Sequence, residues 1–133
     1  MSRFSRGAAD ERSPDFNPTR DLADLIERAR FDDLSAQAVD CAKTFLLDTL
    51  GCGVAGSSGP RVDALIGAAA SWGEGGTATV WGDGRRLPAP QAALANGYQI
   101  HALEWDCVHE PAVVHPMATL IPALLAHAER RSA

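Results

Sequence analysis

The sequence has 133 residues, of which 22% are charged and 46% hydrophobic, and this composition is typical of a folded globular domain rather than a disordered chain. The net charge of −5 and the lack of a basic stripe argue against binding to nucleic acid or to an anionic membrane surface. Three cysteines, with no apparent secretory signal and no apolar run long enough to span a membrane, predict free thiols and a cytoplasmic location.

The beginning of the chain predicts an arm followed by a helix. Residues 1–16 are polar and are expected to form a mobile N-terminal arm, whereas residues 17–133 are expected to form a helical domain. Asn17 is a favourable N-cap, and Pro18 fits the first turn of a helix. The positions that follow place apolar side chains on one helical face, namely Leu22, Leu25, Ile26 and Ala29.

A second helix is predicted after Ser35, and it is expected to be mostly buried because only a narrow polar stripe interrupts its apolar positions. It runs into the letters GCGVAG at residues 51–56, which match the G-x-G-x-x-G pattern of dinucleotide-binding sites. Such a site needs a strand before the glycines, but the polar stripe at Asp40, Thr44 and Asp48 has helical spacing. We therefore interpret the glycines as points of close packing, and we expect no cofactor.

A third helix and a β-hairpin are predicted next. The helix restarts at Pro60 and places Val62 and Ile66 on one face. Residues 77–81 and 85–87 flank Gly-Asp-Gly at residues 82–84, and Asp-Gly favours the tight turn of a hairpin.

Two more helices complete the predicted fold. Pro88 and Pro90 open a fourth helix, which is expected to extend to Trp105 and to be followed by a polar loop over residues 106–115. A fifth helix begins at Pro116, and its predicted apolar face consists of Met117, Leu120, Ile121, Leu124, Leu125 and Ala128. The predicted fold class is mainly α, a helical bundle-like layer with one short β-hairpin.

The segment from residue 101 to residue 116 concentrates groups that could carry chemistry, including three of the four histidines. The predicted fourth helix would place His101 and Glu104 on one side at its end, and Asp106 and His109 would lie in the following loop. Imidazoles and carboxylates are the side chains most used for proton transfer. This segment is therefore the candidate catalytic region.

His115 immediately precedes Pro116, at the predicted N-terminus of the fifth helix. A helix N-terminus carries free N–H groups and positive potential, which favour a bound anion. The combination predicts a site for acidic small molecules.

Structural interpretations remain open for the same residues. His101 could be a buried structural histidine, and Glu104 could simply pair with it. Asp106 could be a capping group, and His109 and His115 could be loop or cap residues. Cys107 and His127 are expected to be a bystander thiol and a surface residue. Asp106, His109 and His115 are also conceivable metal ligands, but their spacing matches no established zinc pattern, so no metal is expected.

Several segments, taken in order, resemble one family. They are Ala42-Lys43 with LLDTLG at residues 46–51, ATVWG at residues 78–82, ALANG at residues 93–97, His101-Ala102-Leu103, and His115-Pro116 followed by Pro122-Ala123 and Ala128-Glu129. Over about residues 18–131 the chain resembles the N-terminal part of the MmgE/PrpD family, which includes lyases that act on 2-methylcitrate and cis-aconitate.

The resemblance implies a partial, all-helical N-terminal domain of a homodimeric lyase for di- or tricarboxylic acids, without a metal or organic cofactor. It implies catalytic roles for Glu104, Asp106, His109 and His115. Beside these residues, His101, Asn96 and Pro116 are expected to bind the substrate. Glu104 stands where the family usually has Asp, Cys107 replaces the second Asp of an Asp-Asp pair, and Met117 replaces a common Ser.

The family also has a second, α+β domain that supplies basic active-site residues, and this chain contains no counterpart of it. We therefore expect the isolated chain to be inactive. The alternatives are a non-catalytic helical module that binds another protein, and a subunit of a split enzyme.

Overall fold

The computed structural model describes residues 17–73 and 75–132, so the predicted mobile arm at residues 1–16 lies outside the described residues. The described residues form five α-helices and one two-stranded antiparallel sheet, which confirms the mainly α fold class. They are α1 (Pro18–Arg28), α2 (Ala36–Gly56), α3 (Val62–Ser71), β1 (Ala78–Thr79), β2 (Arg86–Leu87), α4 (Ala89–His101) and α5 (Pro116–Arg130). The chain divides into two compact units, of which the first ends at Ser35 and the second begins at Ala36.

Helix α1 belongs to the first unit and begins as its sequence predicts. The Oδ1 atom of Asn17 accepts a hydrogen bond of 3.0 Å from the backbone N–H of Arg20, and Pro18 occupies the first turn. The predicted apolar face is present but exposed, since Leu22, Leu25 and Ile26 are 57%, 61% and 68% accessible. No helix in the described part of the chain has both the length and the hydrophobicity of a membrane span.

Helix α2 continues through the glycine-rich run, so no strand precedes the glycines and the dinucleotide interpretation is rightly rejected. A Cβ atom on Gly56 would lie 1.9 Å from the carbonyl oxygen of Gln99, which shows how closely α2 approaches α4. The expectation of a mostly buried helix is wrong, because Phe45 and Leu47 are exposed. Only small side chains fit this close approach, so the larger apolar residues of α2 are left on its other faces.

Helix α3 and the hairpin both contribute buried residues to the core. Val62 and Ile66 are buried as predicted. The hairpin is also confirmed, with Ala78 paired with Leu87 and Thr79 paired with Arg86. Its turn contains two glycines with positive φ, at residues 82 and 84.

Asn96 joins α4 to the hairpin. Its Oδ1 accepts a hydrogen bond from the N–H of Trp81, and its Nδ2 donates one to the carbonyl of Thr79, both at 2.9 Å. Asn96-Gly97 therefore lies inside a helix, as predicted, rather than in a turn. The core around α4 consists mainly of small and β-branched residues, namely Val62, Ile66, Ala69, Ala78, Val80, Leu87, Ala92, Ala95 and Ala126.

Helix α5 begins at Pro116, as predicted, but the predicted apolar face is wrong at Leu120 and Leu124, whereas its other four residues are half-buried. The buried residues are Ala118, Pro122 and Ala126, spaced four apart, whereas Leu120 and Leu124 are exposed. The reason is the close contact with α4, where a Cβ atom on Gly97 would lie 2.9 Å from the carbonyl oxygen of Ala118. Small residues permit this contact, and leucines would prevent it.

Candidate active site

Helix α4 ends earlier than its sequence predicts, and this changes the geometry of the candidate site. The helix ends at His101, so Glu104 and Trp105 lie beyond it, and the expected shared helical side of His101 and Glu104 is wrong. Glu104 adopts a positive φ of 54°, a left-handed conformation that ends the helical path and redirects the chain. This reversal returns Asp106 towards the last turn of α4.

The reversal brings one carboxylate between two imidazoles. The Oδ1 atom of Asp106 lies 2.9 Å from Nδ1 of His101, and its Oδ2 atom lies 3.1 Å from Nδ1 of His115. The two imidazole rings meet edge to face, with centroids 4.5 Å apart. We call His101, Asp106 and His115 the His-Asp-His cluster.

Burial within the cluster is uneven. The Asp106 side chain is 1% exposed, whereas the side chains of His101 and His115 are 47% and 35% exposed. The contact between His101 and Asp106 has hydrogen-bond geometry, but the one between His115 and Asp106 does not, although its distance is short enough. Asp106 Oδ2 and His115 Nδ1 are thus buried polar atoms without a hydrogen-bond partner among the described residues. The two imidazole rings are therefore the groups that offset the free-energy cost of burying this carboxylate.

These contacts decide between several interpretations that the sequence leaves open. His101 contacts Asp106, which differs from the suggested ion pair between His101 and Glu104. His115 is the N-cap residue of α5, but its side chain makes no capping hydrogen bond, since its ring contacts Asp106. Both imidazoles therefore belong to the cluster.

His109 has a local role instead. Its Nδ1 accepts a hydrogen bond of 3.2 Å from the N–H of Ala112 and so caps a short 3-10 helix at Glu110–Ala112. Its backbone N–H donates to the carbonyl of Val114. The structure thus brings together His101, Asp106 and His115, next to Pro116, and it places His109, Glu104 and Asn96 in other contacts or on the surface. Substrate binding or catalysis by those three residues stays a prediction.

An apolar groove of about 1040 Å³ lies between α4 and α5, and the two imidazoles of the cluster are part of its wall. None of the described residues that line it is Lys or Arg. The groove is not predicted from the sequence, although Leu94, Tyr98 and His101 have the spacing of one helical face. The other lining residues are Pro90, Ala93, Gly97, Val114, His115, Pro116, Ala118, Thr119 and Leu120.

The thiol of Cys52 responds to the same carboxylate. Burial raises the pKa of Cys52 above its ordinary value of 9.0, and the negative charges of Asp48 and Asp106 raise it further, as does Cys107. Cys41, Cys52 and Cys107 are all free thiols, as the odd cysteine count predicts. A raised pKa disfavours the thiolate, so Cys52 is poorly suited to act as a nucleophile.

The His-Asp-His cluster is also the group of described residues in which three ligand atoms converge. One donor atom from each residue lies within 4.8 Å of the others. The suggested ligand set of Asp106, His109 and His115 is therefore corrected at one position, since His101 joins the carboxylate and His109 does not.

Comparisons with known proteins agree with one another. A family model of the MmgE/PrpD N-terminal domain matches residues 20–133. The chain is 34% identical over 120 residues to the cis-aconitate decarboxylase-like protein oryM of Aspergillus oryzae, covering 90% of this chain and 25% of that protein. It is 31% identical to the cis-aconitate decarboxylases of Homo sapiens, over 112 residues, and of Aspergillus terreus, over 111 residues, each covering 84% of this chain and 23% of the relative. The chain thus spans about a quarter of the length of these relatives.

Proposed function

The chain belongs to the MmgE/PrpD family, and from this premise we propose that it is the N-terminal part of a lyase acting on a di- or tricarboxylic acid of the cis-aconitate or 2-methylcitrate type. In a dehydration, a proton next to a carboxylate is removed and the hydroxyl group leaves as water; in a decarboxylation, carbon dioxide leaves and the carbanion that remains takes up a proton. The names of the relatives favour decarboxylation. The observation that carries the proposal is the buried carboxylate of Asp106 between two imidazoles on the wall of a groove.

In this proposal His115 transfers the proton, and Asp106 orients the imidazole ring of His115. The Nδ1 atom of His115 lies beside Asp106, so its Nε2 atom is the nitrogen left to exchange a proton with a ligand. A carboxylate beside Nδ1 favours the tautomer with the proton on that nitrogen, and it stabilises the imidazolium that forms when Nε2 takes a proton. His115 thus has the surroundings of a general base for a dehydration, and in its imidazolium form it can donate the proton that a decarboxylation requires.

The remaining predicted residues have weaker geometric support. His101 and Pro116 line the same groove and are proposed to bind a substrate carboxylate. Glu104 and His109 keep proposed catalytic roles because of their positions in the family pattern. Asn96 keeps its proposed substrate contact on the same grounds, although its carboxamide is engaged by the hairpin.

The proposal also requires groups from outside the described residues. A di- or tricarboxylate needs cationic partners, and the described lining of the groove supplies none. We propose that the rest of a longer cytoplasmic, homodimeric protein supplies them and that no cofactor takes part. The isolated chain is then inactive.

The test uses the complete natural protein that contains this sequence. We expect it to consume cis-aconitate with release of carbon dioxide, or to dehydrate 2-methylcitrate, as followed by NMR. Asp106→Asn and His115→Ala should each lower kcat by about 10²–10⁴-fold, the usual contribution of proton transfer by a positioned side chain. His127→Ala is the matched control, because His127 lies outside the cluster, and it should leave kcat unchanged.

Two outcomes contradict the proposal. One is failure of the wild-type protein to convert either acid. The other is unchanged activity after joint substitution of Glu104, Asp106, His109 and His115, which would favour a helical interaction module. The exposed apolar face of α1 is the observation that supports such a module, and a stable complex with a separate larger chain would support a split enzyme.

A further inference from the structure

We propose that His101 is a positioning residue, which holds the Asp106 carboxylate in the orientation that His115 requires. In the proposed function Asp106 orients the imidazole ring of His115, and the role of His101 extends this series of contacts by one residue. The effect on turnover rests on the proposed function. The positioning itself involves three side chains of this chain and is measured without any substrate.

The carboxylate of Asp106 has a single hydrogen-bond partner among the described residues. Nδ1 of His101 donates a hydrogen bond of 2.9 Å to Oδ1, whereas Oδ2 makes none. An ionised carboxylate only accepts hydrogen bonds, so the His101 ring carries a proton on Nδ1. Because the Asp106 side chain is 1% exposed, water is a poor substitute for this donor. His101 is therefore the anchor of the buried carboxylate.

The same hydrogen bond decides where the second carboxylate oxygen lies. The torsion that turns an aspartate carboxylate about its Cβ–Cγ bond is soft, so the group rotates unless a partner holds it. With Oδ1 held by His101, Oδ2 lies 3.1 Å from Nδ1 of His115. Rotation would move this oxygen away from the ring that transfers the proton. The orientation of His115 thus depends on His101 through Asp106.

The two helices keep the histidines at a spacing that one carboxylate spans. His101 is the last residue of α4, and His115 is the N-cap of α5. A Cβ atom on Gly97 would lie 2.9 Å from the carbonyl oxygen of Ala118, so the helices touch within about one turn of each histidine. Groups that are held by rigid elements keep their productive geometry.

The two ring nitrogens of His101 separate positioning from substrate binding. Asp106 engages Nδ1, so a substrate carboxylate would contact Nε2 of this half-exposed ring. Asparagine places its amide nitrogen as far along the side chain as Nδ1, and glutamine places it as far as Nε2. His101→Asn therefore keeps a donor for Asp106 and loses the Nε2 group, whereas His101→Gln does the opposite.

The first measurement follows the tautomer of His115 without substrate, by long-range proton–nitrogen NMR of the 133-residue chain labelled with ¹⁵N-histidine. We expect the wild-type His115 ring to carry its proton on Nδ1, because a carboxylate faces that nitrogen. His101→Gln should shift the ring towards the Nε2 tautomer, whereas His101→Asn should retain the Nδ1 tautomer. The matched control His127→Gln should leave the His115 signals unchanged, because His127 lies outside the cluster.

The second measurement is the kinetics of the complete natural protein that contains this sequence. His101→Gln should lower kcat by about 10–10²-fold, since misplacement of a catalytic group by about 1 Å can cost about 10²-fold. His101→Asn should keep kcat close to that of the wild type, and any loss of a substrate contact through Nε2 should raise its KM instead. An unchanged kcat in His101→Gln overturns the positioning role, whatever happens to KM.

Circular dichroism verifies that each variant is folded. If His101→Gln unfolds, His101→Ala carries the same expectations, because it also lacks the donor and the half-exposed position leaves no buried cavity. A His115 tautomer that is the same in the wild type and in the folded donor-free variant overturns the positioning role, even in an active enzyme, and so does a wild-type His115 protonated on Nε2. An inactive wild-type protein contradicts the proposed lyase function alone, since the tautomer measurement requires no turnover.

Discussion

Asp106 illustrates how one residue comes to hold a charge where water cannot reach it. A carboxylate that is 1% exposed is costly unless nearby groups stabilise it, and here both of its oxygens face imidazole nitrogens. The arrangement depends on the left-handed backbone of Glu104, since a continued helix would carry Asp106 away from His101. The chemistry of the site therefore rests on one unfavourable backbone conformation two residues earlier.

Cys52 gives a prediction that depends on pH. Burial and the charges of Asp48 and Asp106 raise its pKa, and thiolates react with alkylating agents whereas thiols hardly do. Between pH 7.5 and 10, we expect the alkylation profile of Cys52, measured by peptide mass spectrometry, to lie above the ordinary midpoint of 9.0. Asp48→Asn should move this profile to lower pH, and a profile unaffected by that substitution would contradict the assigned cause.

The same shift has a consequence for stability. A folded-state pKa above the unfolded value gives stability that is fully present below the unfolded pKa and is lost as the pH rises through the folded pKa. We therefore expect Cys52→Ser to reduce the fall in the free energy of unfolding that accompanies alkaline pH.

Two buried amides on α4 predict opposite responses to substitution. Asn96→Ala removes hydrogen bonds to Trp81 and Thr79, so it should destabilise the fold by about 1–3 kcal/mol for each orphaned backbone group. Gln99 is also buried, but its side-chain oxygen and nitrogen have no hydrogen-bond partner among the described residues. Gln99→Met, which keeps the volume and removes the polar atoms, should be neutral or stabilising.

Urea denaturation of the two variants measures both effects. If Gln99→Met destabilises the fold and Asn96→Ala does not, the hydrogen bonding assigned to these two side chains is contradicted. A raised KM in the full-length protein with unchanged stability after Asn96→Ala would instead favour the predicted substrate contact.

At the scale of whole elements, helix starts follow from the sequence and helix faces do not. The N-terminus of α1 depends on Asn17 and Pro18, which act within one turn, and α5 begins at Pro116 for the same local reason. The buried face of α5 depends instead on how closely α4 approaches it. That distance is set by Gly97, which lies outside the helix whose face is being predicted.

The candidate site follows the same division. Histidines and carboxylates concentrated between residues 101 and 116 indicate a site from the sequence alone. Which of them meet depends on the early end of α4 and on the 3-10 helix that engages His109. Both features arise from tertiary contacts and local backbone reversals that have no periodic signature.

The two ends of the glycine-rich run in α2 give a matched pair of substitutions. Gly56→Ala would place a Cβ atom 1.9 Å from the carbonyl oxygen of Gln99, so α2 and α4 must separate. We expect the free energy of unfolding to fall by about 1–3 kcal/mol or more. Gly51 has nothing within 4 Å of the added atom. Gly51→Ala should therefore stabilise the helix by about 0.5–1 kcal/mol through its lower backbone entropy.

Thermal unfolding of both variants distinguishes packing from helix propensity. If packing decides, the melting temperature should fall for Gly56→Ala and rise for Gly51→Ala, because the added atom meets α4 at the first position and open space at the second. Equal shifts for the two variants would mean that close approach at Gly56 does not limit the fold.

At the scale of the whole molecule, α3, α4, α5 and the hairpin share a buried core, but the described residues around the groove lack the charges that the proposed substrate needs. Helices α2, α3 and α5 and the hairpin all contact α4, which supports folding of the second compact unit, from Ala36 onwards. The groove, by contrast, has apolar walls and two imidazoles but no described Lys or Arg. Folding and catalysis thus place different demands on the same chain.

This difference leads to the prediction that the isolated 133-residue chain folds but does not turn over substrate. Abstraction of a proton next to a carboxylate builds negative charge, and preorganised donors must stabilise it as it develops. Two imidazoles beside a buried carboxylate can accept a proton, but they offer little positive charge to a di- or tricarboxylate. Far-ultraviolet circular dichroism should report a helical protein, while NMR should detect no loss of cis-aconitate or 2-methylcitrate at enzyme concentrations that suffice for the full-length protein. Turnover by the isolated chain would contradict the prediction, and it would mean that the His-Asp-His cluster and the α4–α5 groove suffice for the reaction.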